Sequence, residues 1–258
     1  MKYIVVYNEC LRSKLIYFDF INSNSKDIKL VVKLPILPSK KNKKTSYYLL
    51  KKGILGGTAI SYIAYTFMQT IVYMFISKIF KADIESLCLK KKIKFSKNKK
   101  FPDKSFFKKK IYNFNHKEII FCSTTHILKK KDLLIKNPVL NLHEADPRKH
   151  KGSAIYFRLA AEKSKYLQTT VMEPDEGIDT GRIIAKSPKK KIVNYSVFKI
   201  VLLGYLMQSK LIKKIKKFKI KKRFPKIKKI TFGKAFSFPS YEIEKKMKKN
   251  KIKIFELT

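Results

Sequence analysis

An apolar run, Val139-Leu140-Asn141-Leu142-His143, carries two polar residues at its end, and an aspartate, Asp179, follows in a turn between Gly177 and Gly181. Side chains alternate along a strand, so Asn141 and His143 point to one face while Leu140 and Leu142 point to the other. They would stand where the strand ends, the usual place for a site in an open α/β sheet. An asparagine amide donates hydrogen bonds without titrating and can hold a developing oxyanion. A histidine exchanges protons near neutral pH or donates to the same oxyanion. A carboxylate beside His143 would orient the ring and pair with its charged form. The glycines around Asp179 let the backbone bend sharply and approach a ligand. An Asn-x-His by itself is an ordinary structural pairing; the charge pattern around it gives it weight.

That pattern is uneven. From Asn141 to Asp179 there are seven acidic residues and six Lys/Arg, whereas the rest of the chain has 11 acids against 55 bases. A sequence that places lysine almost everywhere withholds it here, as a site that must hold carboxylates would require. The net charge of +43 attracts polyanions such as nucleic acid, nucleotides or anionic membrane, without choosing among them. Much of the lysine reads equally well as a compositionally biased, solvated surface. With 45% apolar residues over 258 positions, a disordered polyelectrolyte is excluded and one or two cored domains are expected. Cys10, Cys88 and Cys122 form no CxxC pair and no metal-ligand spacing, so reduced thiols in an intracellular protein, and no metal site, are expected. The run from Met1 to Tyr7 opens directly as a strand, with no signal peptide visible.

The elements that must position these residues alternate. Strands are expected at Tyr3–Tyr7, Ile28–Leu34, Lys92–Phe95, Glu118–Cys122 and Val139–Leu142, with helices at Leu11–Phe20, Asp83–Leu89, after Pro102-Asp103, and at Ile127–Ile135. This order predicts an α/β fold, a mostly parallel twisted sheet flanked by helices. No glycine occurs before Gly53, so no phosphate-cradling loop follows the first strand, which counts against a dinucleotide site. Ser153–Glu162 reads as a helix, and Leu167–Met172 and Arg182–Ala185 as strands that either form a hairpin or lie side by side. Gly53 to Ser77 has 25 residues without a charge, long enough for a membrane span but diluted by Gly56-Gly57, Ser61, Gln69 and Thr70. A span, an interfacial helix and a packed helix all fit it. Val197–Met207 is an apolar helix running into Lys210–Lys229, which has 12 Lys/Arg and no acid. Leu211, Ile215 and Phe218 keep helical spacing there, so it reads either as an amphipathic basic helix at an anionic surface or as a solvated helix end. The division by charge is residues 1–209 as one domain and 210–258 as a small basic C-terminal extension.

Asn141-Leu142-His143, the spacing to Gly152, and Asp175-Glu176-Gly177-Ile178-Asp179-Thr180-Gly181 followed by Arg182-Ile183-Ile184 together resemble the folate-dependent formyltransferases. These include methionyl-tRNA, glycinamide ribonucleotide and amino-sugar N-formyltransferases. The similarity is strongest over about residues 118–186 and extends to about Met207. It implies a Rossmann-like formyltransferase fold and transfer of a formyl group from 10-formyltetrahydrofolate to a primary amine. Asn141 would hold the formyl oxygen, His143 would add a donor and manage protons, and Asp179 would orient His143 and relay the amine proton through water. By family position the pterin would rest near His126-Ile127-Leu128 and the backbone of Pro174-Asp175-Glu176.

The sequence also departs from the family. Where members have a Pro-Ser and a Leu-Pro after the histidine, this chain has Glu144-Ala145-Asp146-Pro147, which bears on folate affinity or acceptor choice. His150 stands where an aromatic is common. The missing glycine-rich loop argues against glycinamide ribonucleotide, and too little chain follows for the tRNA-binding barrel, so tRNA is disfavoured. An amino sugar, linked to a nucleotide or a lipid, is the expected acceptor, with the protein in the cytoplasm or peripheral at the inner face of the membrane. Two alternatives stand: a non-catalytic basic protein on the same fold that binds RNA or anionic lipid, and a formyltetrahydrofolate hydrolase that releases formate.

Overall fold

The computed structural model describes residues 2–34, 60–79, 83–97, 118–123, 137–152, 154–175, 179–215, 235–236 and 240–255. The helices expected after Pro102 and at 127–135, and the site residues His126, Ile127, Leu128 and Glu176, lie outside them.

The core strand is β1 (Tyr3–Asn8), a run so apolar that all six of its residues are buried. A strand covered on both faces has no side to present to water, and parallel sheets read this way. β1 pairs in parallel with β2 (Ile28–Leu34) on one side and β4 (Ile119–Ser123) on the other. β3 (Phe95–Lys97) extends the sheet beyond β2, and β5 (Val139–His143) extends it beyond β4, both in parallel. β8 (Thr170–Glu173) and β9 (Arg182–Lys186) then add as an antiparallel hairpin, giving a seven-stranded order β3-β2-β1-β4-β5-β8-β9. The two strands flanking the acidic turn are therefore a hairpin rather than separate neighbours. The expected strand at 167–172 is split, its first part pairing as β7 (Tyr166–Leu167) with β10 (Lys190–Lys191). The expected strand at Lys92–Phe95 begins later, because Lys92 takes a left-handed conformation at φ 53°.

Helices α1 (Leu11–Ser23), α3 (Ile84–Lys90) and the second half of α5 (Val197–Ile215) cover one face. Tyr3, Phe20 and Phe121 meet there with ring centroids 5.4 to 5.8 Å apart, and Leu140 and Leu142 bury on the same side. Val139 packs on the opposite face with Val6, Ile120 and Cys122. α5 runs unbroken through positions 209–210 to Ile215, and Leu211, Ile212 and Ile215 turn into the core instead of outward. A second cluster joins α4 (Ile155–Ala161), the first half of α5 and α6 (Tyr241–Lys249), with Asn250 donating to the Ala161 carbonyl at 2.9 Å.

Helix ends explain several backbone choices. Asp83 caps α3 by accepting the Ser86 N–H at 3.0 Å. α3, α4 and α6 each end with a lysine in the left-handed region, Lys92, Lys163 and Lys251. The next residue donates back five positions in each case, as in Ile93 to Cys88, Ser164 to Leu159 and Ile252 to Met247. Glycine is the usual residue at this position of such a cap; the lysine bias has reached even there. Helix α2 (Ile60–Ile79) lies within the charge-free segment. Among the described residues no helix is long and apolar enough to cross a membrane. Cys10, Cys88 and Cys122 form no disulfide among the described residues, and burial pushes the Cys88 thiol up to about 12.

Candidate active site

β5 delivers the first two candidate residues as the alternation requires. Leu140 and Leu142 are buried beneath α1 and α5, which sends Asn141 and His143 to the other face at the strand's carboxyl end. His143 is buried, and Asn141 is half-buried with no side-chain hydrogen bond to another described residue.

The third residue arrives on the β8–β9 hairpin. Asp179 sits at φ 51°, a left-handed conformation that aspartate tolerates better than most residues. Its Oδ1 lies 3.5 Å from His143 Nδ1, and its Oδ2 accepts the Gly152 N–H at 2.7 Å. His143 Nε2 meets the carbonyl oxygen of His150 at 2.8 Å. A carbonyl only accepts, so Nε2 carries the proton in this bond and Nδ1 faces the carboxylate. The imidazolium satisfies both contacts at once; the neutral ring satisfies only the first. Both ring nitrogens thus face oxygens of the protein, and among the described residues the Asn141 amide is a donor able to meet a carbonyl oxygen.

Gly181 explains the hairpin. A Cβ there would lie 1.9 Å from the Glu173 carbonyl oxygen, so any side chain would force the returning strand off β8. The glycine expected to let backbone approach a ligand lets it approach its own neighbouring strand. Pro174 and Asp175 follow β8 in this turn, where Asp175 is exposed and accepts from the Thr180 hydroxyl.

The loop after His143, whose residues differ from the family, is held by charge. Arg12 donates to the Leu142 carbonyl and to Gln208 Oε1, and lies 3.6 Å from Glu144. Asp146 receives Arg148 and Lys186. Burial would raise its carboxyl, but those hydrogen bonds hold it well below the usual carboxylate range. The Thr170 hydroxyl ties the Ala145 carbonyl at 2.9 Å. His150 reaches a cavity of about 280 Å³ lined also by Asp146, Arg148, Lys165 and Gln168, and burial lowers its imidazole below 6.5. Sequence reasoning missed Arg12, the His150 carbonyl and the Gly152 N–H. Arginine scarcity could have flagged the first, since the chain has five arginines among its 61 basic residues.

Among the described residues the site thus brings together a carboxylate 3.5 Å from an imidazole and, on the same strand face, an amide with no side-chain hydrogen bond to another of them. Solved structures with this arrangement of strands include a sugar 3N-formyl transferase, WlaRD, crystallised with dTDP and 5-N-formyl-THF, at 17% identity and TM-score 0.50. A formyltetrahydrofolate deformylase from Pseudomonas syringae matches at 14% identity and TM-score 0.52. A glycinamide ribonucleotide transformylase from Symbiobacterium toebii matches at 10% and 0.51. The fold is that of the folate-dependent formyltransferases. The alignments cover 82–84% of this chain, and 62%, 60% and 84% of those three chains in turn. The chain therefore spans about three fifths of the length of the first two. No family model and no curated protein sequence matches it.

Proposed function

We propose that this protein transfers a formyl group from 10-formyltetrahydrofolate to the primary amine of an acceptor, with an amino sugar carried on a nucleotide as the favoured acceptor. The observation that carries the reading is the His143–Asp179 pair beside the Asn141 amide, which bonds no other described side chain, at the carboxyl end of β5 on a formyltransferase fold. Asn141 donates to the formyl oxygen as the amine attacks and that oxygen gains charge. Asp179 takes the proton lost by the attacking amine through water. Collapse of the tetrahedral intermediate breaks the bond to the folate nitrogen, which receives that proton as tetrahydrofolate leaves, while His143 stays held between Asp179 and the His150 carbonyl. The pterin lies against the Pro174-Asp175-Glu176 turn and the His126-Ile127-Leu128 segment. The acceptor class is supported by the likeness to a sugar 3N-formyl transferase crystallised with dTDP.

The test is to incubate the purified protein with 10-formyltetrahydrofolate and dTDP-linked amino sugars, following tetrahydrofolate release and the formylated sugar by mass. Asn141→Ala is expected to lower kcat by about 10²–10³-fold, the usual loss of one oxyanion donor, with the melting temperature unchanged. Formate released at the turnover rate without any acceptor would replace this reading with hydrolysis. No turnover at all, with polyanion binding intact, would favour the binding-protein alternative.

A further inference from the structure

Helix α2 is built inside out. Its protein-facing stripe is the polar one: Tyr65, Gln69, Tyr73 and Ser77 follow each other at four-residue spacing. Gln69 Nε2 donates to the Tyr65 and Tyr205 hydroxyls, the Tyr73 hydroxyl donates to Glu9 at 2.7 Å, and Ser77 receives Lys14 at 2.8 Å. The outward stripe is apolar: Phe67, Met68, Ile71, Met74, Phe75 and Ile79 are 39–67% exposed. These six are half of the twelve large apolar side chains exposed among the described residues, gathered on one helix. A surface helix of a water-soluble body normally shows the reverse pattern, and a contiguous apolar patch of this kind marks a docking surface.

We propose that this face seats α2 in the plane of an anionic lipid bilayer, the apolar stripe entering the acyl boundary and the body of the protein remaining above it. The occupant follows from charge. A second copy would bring another +43 against the first, with the exposed Lys78 of each helix meeting its counterpart. An anionic surface attracts the same charge, and Lys78, near the helix end, can run its apolar stem along the membrane and hold its ammonium at the headgroup phosphates. The tethers from Tyr65, Gln69, Tyr73 and Ser77 keep the helix lying on the body, so it enters from one side only. Of the basic stretch Lys210–Lys229, read either as an amphipathic or as a solvated helix end, the described Leu211, Ile212 and Ile215 are buried in the core, and residues 216–229 lie outside the described residues.

Flotation of the full chain with phosphatidylcholine vesicles, with and without phosphatidylglycerol, tests this independently of formyl transfer. Binding is expected to the anionic vesicles. The double variant Phe67→Ser, Phe75→Ser is expected to weaken it at least about tenfold without changing the melting temperature. Equal flotation of the variant would overturn the proposal in favour of the lysines alone. So would a wild-type protein that stays in solution, or a variant that merely turns a dimer into a monomer. A variant that melts earlier would show that other parts of this chain cover the face.

Discussion

The His143–Asp179 contact separates two roles of one carboxylate. Oδ2 serves structure by taking the Gly152 N–H, and Oδ1 serves the imidazole. Asp179→Asn keeps an oxygen for Gly152 and tolerates the left-handed backbone, so the fold is expected to survive. The charge facing Nδ1 is lost, and turnover should fall by about 10²–10⁴-fold, measurable in the same formyl-transfer assay. His150 offers a pH probe. Its folded-state value is depressed from 6.5, chiefly by burial, with Arg158 and Lys149 adding to the effect and Glu162 and Asp146 opposing it. The unfolded chain therefore takes up a proton that the folded one refuses. This component of stability is full above 6.5 and fades as the pH falls below it. His150→Phe should remove that component, seen as a flatter melting temperature between about pH 8 and about pH 5.

At the scale of elements, two backbone features act in opposite directions. Gly181→Ala would drive a methyl group into the Glu173 carbonyl, so the β8–β9 hairpin should lose about 1–3 kcal/mol and carry Asp179 away from His143. Lys163→Gly relieves a left-handed lysine at the end of α4 and should raise stability by about 1 kcal/mol, read as a higher urea midpoint with an unchanged slope. The strands were legible in the sequence because their runs are apolar and short, as at Tyr3–Tyr7 and Val139–Leu142. The boundaries that misled were those set by backbone conformation. Lys92 reads as the start of a strand, since the residue type that announces a helix end has been replaced there, whereas the helix before Lys163 ends where the sequence places it, at Glu162. The site was legible for the same reason as the sheet: alternation places Asn141 and His143 on one face whatever surrounds them. What held the site was not legible, because the His150 carbonyl and the Gly152 N–H are main-chain groups that any residue supplies.

For the whole molecule, the low-lysine window resolves into pairs. Among the described residues Glu144, Asp146, Glu162 and Glu173 each meet an arginine, Arg12, Arg148, Arg158 and Arg182, and Asp179 meets a histidine. Two of those carboxylates hold the loop after His143, one pairs within the last turn of α4 and one ties β8 to β9, so the charge pattern marked the site by marking its scaffold. Every described arginine is so used, where a planar fork does what a lysine cannot. The division of the chain at 209–210 follows composition, while the backbone crosses it as one helix and the last described residues pack against α4 and α5.

One small ladder carries further than its size suggests. β6 (Lys151–Gly152) pairs in parallel with β11 (Ala235–Phe236), and β6 begins one residue after the carbonyl that holds His143 and ends on the N–H that holds Asp179. His143 and Asp179 are thus pinned by a three-residue span whose only neighbouring strand among the described residues comes from the distal quarter of the polypeptide. Ala235→Pro, which deletes a backbone donor of that ladder, should slow turnover while leaving overall melting nearly unchanged. The two residues Ala235 and Phe236 would then govern how tightly the His143–Asp179 corner is drawn together, a remote adjustment screw.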